Sequence, residues 1–492
     1  MRTDGRAATA RQWSVWFVVF LAIGVLWSIA TPRFASPDEP AHVRKAAGTV
    51  RLEGIGEQVP GQPEWLRTFD IPDAYTGPDP GCFAFDSTTS AACAILPPIT
   101  GDEVPAASSA SRYPPLYYVV AGAPSLVVTT YGGQYAVRVA SAVLSAAALA
   151  TALVLAGRSS YGRWPAVGAL VAITPMVAFL TGVVNPNGAE TTLFLAGWVA
   201  LIVALEAHQA GRVPRWMPAA VLFGLGVLMR QLGVVWLAAG AVVVAVLLGW
   251  ESLRAAIRSR PMQIAVGVVV GAVAVQFLWM AAVDSLGAVE DPRIAIGDEI
   301  SDSTIVHDVI NASMGNVREM IGRLGWYDVP VPSITELVWL VGVGGLVVAA
   351  LVGATRRHAL AVMAAVAFTW LIPVVLEIKD ARATGYYWQG RYTLPLAVLV
   401  PIIAAWALGA RLGGSMPGRL RALVAAGLVV GHVATFHQAL RRYMVGLDGP
   451  LTLRDPEWRP PISAWLLIVA YAIAWAGACW LVLADRTARA DA

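Results

Sequence analysis

Apolar runs of roughly 15–25 residues recur along the chain, each long enough to cross a bilayer core as a helix. They fall near 13–31, 134–157, 164–184, 188–208, 216–230, 232–250, 262–283, 334–354, 359–377, 392–410, 420–439 and 462–483. A further run, 114–131, is short and interrupted by Pro124. At 57% hydrophobic and 14% charged, the chain is too apolar for an ordinary soluble protein. These features predict an all-α polytopic membrane protein, one domain over 1–492. It would have about 12 full transmembrane helices plus a juxtamembrane or re-entrant helix.

Arginines set the topology. They cluster at Arg158/Arg163, Arg212/Arg215, Arg254/Arg258/Arg260, Arg356/Arg357, Arg411/Arg419/Arg421 and Arg486/Arg489. Short basic loops belong on the cytoplasmic side. All six fall there only if 114–131 does not cross completely. Both termini are then cytoplasmic, in a bacterial inner membrane. The first apolar run lacks a small-residue cleavage site and is expected to remain as an anchor. The net charge of +3 is no nucleic-acid signal. The outer face then collects two large periplasmic loops, 32–112 and 284–333, with the unusual polar residues. Cys82 and Cys93 share the first loop, where an oxidising compartment would permit a disulfide.

Ser36-Pro37-Asp38-Glu39-Pro40-Ala41-His42 opens that loop. Ser36 with Glu39 fits a capping box and Pro37 fits the first helical position, so a helix is expected to begin here. Asp38 and His42, four apart, would share its face. Asp38 and Glu39 are the candidate catalytic acids, with His42 beside them. A divalent metal is conceivable at the three, but a clear third and fourth ligand is missing; no cofactor is expected. Arg391, within Gln389-Gly390-Arg391-Tyr392, can hold a phosphate by paired hydrogen bonds. Arg230 interrupts an apolar stretch, where an ionisable group is expensive and functional by default. Arg138 could help bind the same anion. The amides of Asn185-Pro186-Asn187 can bond sugar hydroxyls, although an interhelical turn explains them as well.

The Asp38-Glu39 pair in a long first outer loop, Tyr113-Pro114-Pro115-Leu116-Tyr117-Tyr118 and the Arg138 segment resemble the GT-C superfamily of integral-membrane glycosyltransferases. PDEPAH, YPPLYY, NPNG and QGRY together resemble a bacterial polytopic family known as a domain of unknown function, over about 13–483. The GT-C resemblance implies a polyprenyl-phosphate-linked sugar donor and an acidic catalytic residue in the first outer loop. Asp38 would be the base and Glu39 its neighbour. Substrate-binding candidates are His42, Tyr117, Arg138, Asn187, Arg230, Gln389, Arg391 and Tyr392. Many GT-C enzymes have His-Pro-Pro where this chain has Tyr113-Pro114-Pro115. Many also carry a soluble C-terminal domain, so acceptor recognition is expected from the outer loops.

The function expected is an inverting transfer of sugar to a cell-envelope glycan or lipid acceptor among membrane lipids. A transporter or flippase of a lipid-linked sugar is the alternative. It fits less well, because the polar residues gather at one face instead of the midplane and no internal repeat is visible. A non-catalytic envelope-assembly scaffold is the third reading.

Overall fold

The computed structural model describes residues 2–285, 295–296 and 300–484. Helix α1 (Arg2–Ala30) leads through a tight turn into α2 (Glu39–Val50). The first loop then forms an antiparallel sheet of β1 (Glu57–Gln58), β2 (Arg67–Pro72) and β3 (Glu103–Ser108), with Phe69 opposite Ala106. Helices α3 (Leu116–Gly122), α4 (Gly132–Ala156), α5 (Trp164–Ala172), α6 (Pro175–Thr181) and α7 (Pro186–Gln209) follow. Next come α8 (Met217–Val227), α9 (Gly233–Leu248), α10 (Trp250–Arg258), α11 (Arg260–Ala282) and α12 (Asp302–Gly322). A hairpin of β4 (Arg323–Leu324) and β5 (Val329–Pro330) precedes α13 (Ser333–Gly353) and α14 (Arg356–Thr384). The chain closes with α15 (Leu394–Ala397), α16 (Leu399–Leu412), α17 (Gly418–Val445) and α18 (Ala464–Leu483).

This is a mostly helical, multi-pass membrane protein. Among the described residues, nine helices are long and apolar enough to span, or eleven if α5–α6 and α9–α10 are each one bent span. The run at 216–230 folds as the 11-residue α8, shorter than a full crossing, so the expected twelve is not reached by length. The loop expected at 284–333 is not plain loop: its polar residues Asp302–Gly322 form α12, whose first turn is capped by Ser301 Oγ on the Thr304 N–H. Residues 286–294 of that loop, and Arg486 and Arg489, lie outside the described residues.

The apolar part of the segment at 114–131, Leu116–Leu126, has 11 residues, fewer than a full crossing needs. After α3 and a short 3-10 turn to Leu126, the chain goes straight into α4. Gly122 packs on the Ala46 carbonyl of α2, closer than any side chain would permit. Beyond the turn, the Val128 carbonyl accepts from Tyr75 of the first loop. The segment therefore touches that loop at its middle and near its far end. At the other end of the bundle the basic loops meet: Arg163 and Arg421 both donate to the Leu483 carbonyl, and Trp164 Nε1 donates to the Ser415 carbonyl at 3.0 Å.

The capping box does not form. Helix α2 starts at Glu39, after Asp38 in the left-handed region (φ 58°), and Ser36 Oγ has no partner. A stronger partner claims Glu39. Arg138 of α4 grips its carboxylate at 2.7 and 2.6 Å, and both side chains are at most 2% exposed. Arg138 also donates to the Ser28, Thr31 and Pro32 carbonyls at the end of α1, at 2.7–2.8 Å. Next along α2, His42 Nδ1 lies 2.8 Å from the Tyr118 hydroxyl. Burial pushes His42 down to about 3, against the opposing pull of Asp38.

Two outcomes follow. Glu39→Ala or Arg138→Ala strands one buried charge and should destabilise by about 3–5 kcal/mol. Glu39→Leu with Arg138→Met should recover much of that in a detergent melt; a double variant no better than the singles would refute the pairing. For His42, the folded value lies below the unfolded value near 6.5, so the unfolded chain takes up the proton first. Its stabilising contribution is present above pH 6.5 and lost as pH falls towards 3, by about 2 kcal/mol at pH 5. His42→Gln should flatten that part of the melting-temperature profile.

Candidate active site

The turn carrying Asp38 is held from four sides. Arg138 of α4 fixes its start through Thr31 and Pro32. Trp326 of the β4–β5 hairpin donates to the Phe34 carbonyl at 2.8 Å, and Tyr443 of α17 donates to that of Ala35 at 3.2 Å. Asn185, capping α7, donates to the Pro37 carbonyl at 3.0 Å. Aspartate tolerates the left-handed backbone that results. That conformation sends the Asp38 carboxylate outward, with its side chain 48% exposed.

Arg391 meets it there. Its Nη2 lies 2.6 Å from Asp38 Oδ2, and the Arg391 side chain is 3% exposed. The Gln389–Tyr392 turn that delivers it is fixed from α12. Gly390 N–H donates to Glu319 Oε2 at 2.7 Å, and Gly390 packs so closely on the Asn316 carbonyl that no side chain fits. Tyr327 sits beside the same carboxylate, and burial together with Glu319 pushes its hydroxyl well up. The preceding residue pair is tied down as well, with Trp388 N–H donating to Glu377 Oε1 at 2.9 Å.

Arg230 occupies the turn between α8 and α9. It donates to Asn187 Oδ1, lies 3.8 Å from Glu190 Oε2 and 3.4 Å from the Tyr113 hydroxyl. Its guanidinium sits 4.9 Å from the Tyr392 ring centre, and that of Arg391 sits 5.1 Å from the same ring. The His42 ring packs edge-on against Tyr113 at 5.5 Å. Asp38, His42, Arg230, Arg391 and Tyr392 therefore form one cluster, with Asn187 at its back. Five polar atoms in and around it are buried without a hydrogen-bond partner: the Nε groups of Arg230 and Arg391, Oε1 of Gln389, and both carboxylate oxygens of Glu190.

Three expected residues stand apart from this opening. Glu39 and Arg138 are spent on each other behind the turn. The Tyr117 hydroxyl, fully buried, is bonded to Ser141 Oγ at 2.9 Å. Cys82 and Cys93 are joined by a disulfide in the first loop. Residues not singled out for the site from sequence also enter it. Tyr113 was visible only as part of YPPLYY, and Glu190 only as the acid after NPNG. Glu319 and Tyr327 carried no sequence signal, because their role depends on how α12 docks. Among the described residues, no three His, Cys, Asp or Glu side chains gather as a metal shell.

An exposed carboxylate beside two buried, incompletely bonded guanidiniums can accept a proton while the cations hold an anion. Among solved structures, the chain is similar to ArnT from Cupriavidus metallidurans in the apo state, at 15% identity over 96% of this chain and 76% of that one, with a TM-score of 0.45. The ArnT structure bound to undecaprenyl phosphate gives 13% identity, 96% and 77% coverage and 0.45. The apo oligosaccharyltransferase of Archaeoglobus fulgidus gives 11%, 94% and 64%, and 0.35. No curated protein matches. The family described as a predicted membrane protein, DUF2142, matches residues 21–400, which include the Asp38 turn, Arg230 and the Gln389–Tyr392 turn. The chain belongs to the DUF2142 family of predicted membrane proteins.

Proposed function

We propose that this protein is a membrane glycosyltransferase. It moves a sugar from a polyprenyl-phosphate carrier to a hydroxyl of a cell-envelope glycan or lipid. The active site would face outward from a bacterial inner membrane, with both termini in the cytoplasm. The observation that carries this reading is the half-exposed Asp38 carboxylate bonded to buried Arg391, with Arg230 across the Tyr392 ring.

The chemistry is a single inverting displacement. The acceptor oxygen attacks the anomeric carbon and passes its proton to Asp38. The bond from that carbon to the phosphate oxygen breaks, and the electron pair leaves with the lipid phosphate. Arg391 and Arg230 bind the charge that develops there. In the resting arrangement Arg391 is paired with Asp38. An arriving phosphate competes for Arg391 and frees the carboxylate to act as base, so donor binding would switch on the acid–base group. Gln389, whose Oε1 has no partner, would bond a donor hydroxyl, and Asn187 would hold Arg230 in place. Glu39 and Arg138 would serve by holding the turn.

Asp38→Asn should lower transfer from a radiolabelled polyprenyl-phosphate sugar by roughly 10²- to 10⁴-fold, with an unchanged melting temperature; full turnover would sink the assignment. Arg391→Lys keeps charge but not the paired donors, and should raise the donor KM more than the acceptor KM. Glu319→Ala should lower kcat by loosening the Arg391 turn, and Glu319→Gln, which still offers an acceptor to Gly390, should restore much of it.

A further inference from the structure

The tip of the disulfide-closed loop carries an exposed aromatic residue that nothing above uses. Phe85 is 73% exposed and has a left-handed backbone, φ 66°. A bulky residue in that region is a backbone outlier, which persists only when its surroundings impose it. Here they do. Arg442, fully buried, donates to the carbonyls of Thr89 at 2.6 Å, Phe83 at 2.7 Å and Asp86 at 2.8 Å, and pairs with Asp328. Leu447 N–H donates to the Ser87 carbonyl at 2.8 Å, and Ser90 Oγ to Glu457 Oε2 at 2.5 Å. Asp86 accepts from the Thr88 N–H and hydroxyl and from the Thr89 hydroxyl, at 2.7–3.0 Å. The loop is rigid, and what it holds out is one ring.

That ring has a partner. Trp326 lies 5.7 Å from it, at 59°. Trp326 is bonded to the Phe34 carbonyl, four residues before Asp38, and is followed by Tyr327, beside Glu319. The pair is therefore built onto the same turn and hairpin that frame the candidate active site. Its surroundings are polar: Asp86, Ser87, Thr88 and Glu457 flank the loop. Carboxylates and hydroxyls around an aromatic face suit a ligand that is apolar on one side and hydroxylated at its edge. A pyranose ring has that character, with axial C–H groups on its face and hydroxyls around its rim.

We propose that Phe85 and Trp326 form a stacking platform for a pyranose unit of the acceptor glycan, holding it beside the Asp38 turn. The word acceptor rests on the transferase reading; glycan binding by the platform does not.

The test uses the full chain in lipid nanodiscs, with cellotetraose, mannotetraose and chitotetraose as probes followed by saturation-transfer NMR. At least one tetrasaccharide should bind the wild type. Phe85→Ala and Phe85→Leu should weaken it by roughly five- to tenfold, and Phe85→Tyr should restore it. Because the ring is exposed, melting temperatures should not move. The leucine variant keeps apolar bulk without an aromatic face, so it separates stacking from a general packing loss. Equal binding by wild type, alanine and leucine variants would overturn the platform, as would no binding of any probe by the wild type. Phe85-dependent binding without Asp38-dependent transfer would keep the platform and sink the transferase. Asp38-dependent transfer with an acceptor KM indifferent to Phe85 would sink the platform alone.

Discussion

A charge pair buried inside a helical bundle is unstable unless every donor finds an acceptor, and Arg138 with Glu39 meets that condition. All five guanidinium N–H directions are used: two on the carboxylate and three on carbonyls at the end of α1. Glu39 returns one further bond, accepting the Val184 N–H just before α7 at 3.0 Å. Three elements far apart in sequence are thereby joined at one point, α1, α4 and the entry to α7. The consequence reaches Asp38 directly. Two neighbouring acids must point in opposite directions, one into the bundle and one to the opening. The left-handed backbone at Asp38 makes that reversal, and Arg138 makes it obligatory.

The arginines of the loop-bearing end divide by the supply of acceptors around them. Arg138 and Arg442 are surrounded by backbone carbonyls and a carboxylate, and they hold loops in place. Arg230 and Arg391 are equally buried but are faced largely by aromatic rings, which take no N–H in the plane of the guanidinium. Each leaves its Nε donor unbonded, where Arg138 uses all five of its N–H groups. Residue type cannot separate the two kinds, since each has an arginine near the membrane surface with tyrosine beside it.

Legibility in the sequence follows the range of the interactions. The long helices are local, and their apolar runs mark them. So is the short helix within 114–131, because Pro124 interrupts its apolar run. The bend of 72° between α5 and α6 sits at Pro175, which cannot continue the hydrogen-bond ladder. Capping was misread at Ser36 because the competing partner of Glu39 lies 99 residues away. Helix α12 is polar enough to pass for loop, and the short strands of the first loop have no apolar alternation to announce them. At the site, Asp38, Arg230 and Arg391 stand out as charges in unusual places. Glu319 does not, since an acid on a half-exposed helix is ordinary until Gly390 packs against it.

The two short apolar helices share one length. Helix α8 and the segment Leu116–Leu126 each have 11 residues, which rise about 16 Å against a hydrocarbon core of about 30 Å. Each ends next to the cluster, one delivering Arg230 and the other bearing Tyr113 at its start and Tyr118 beneath His42. Their neighbours α4, α7 and α11 run 23–25 residues, and α7 begins at the cluster itself, with Asn187 and Glu190 near its start against Arg230. One more turn of α8 would carry Arg230 about 5.4 Å along the helix axis, past both partners. Stopping early keeps the guanidinium buried, where its pull on an anion is several times stronger than in water. Helix α8 is short because the charge it delivers has to meet the start of α7.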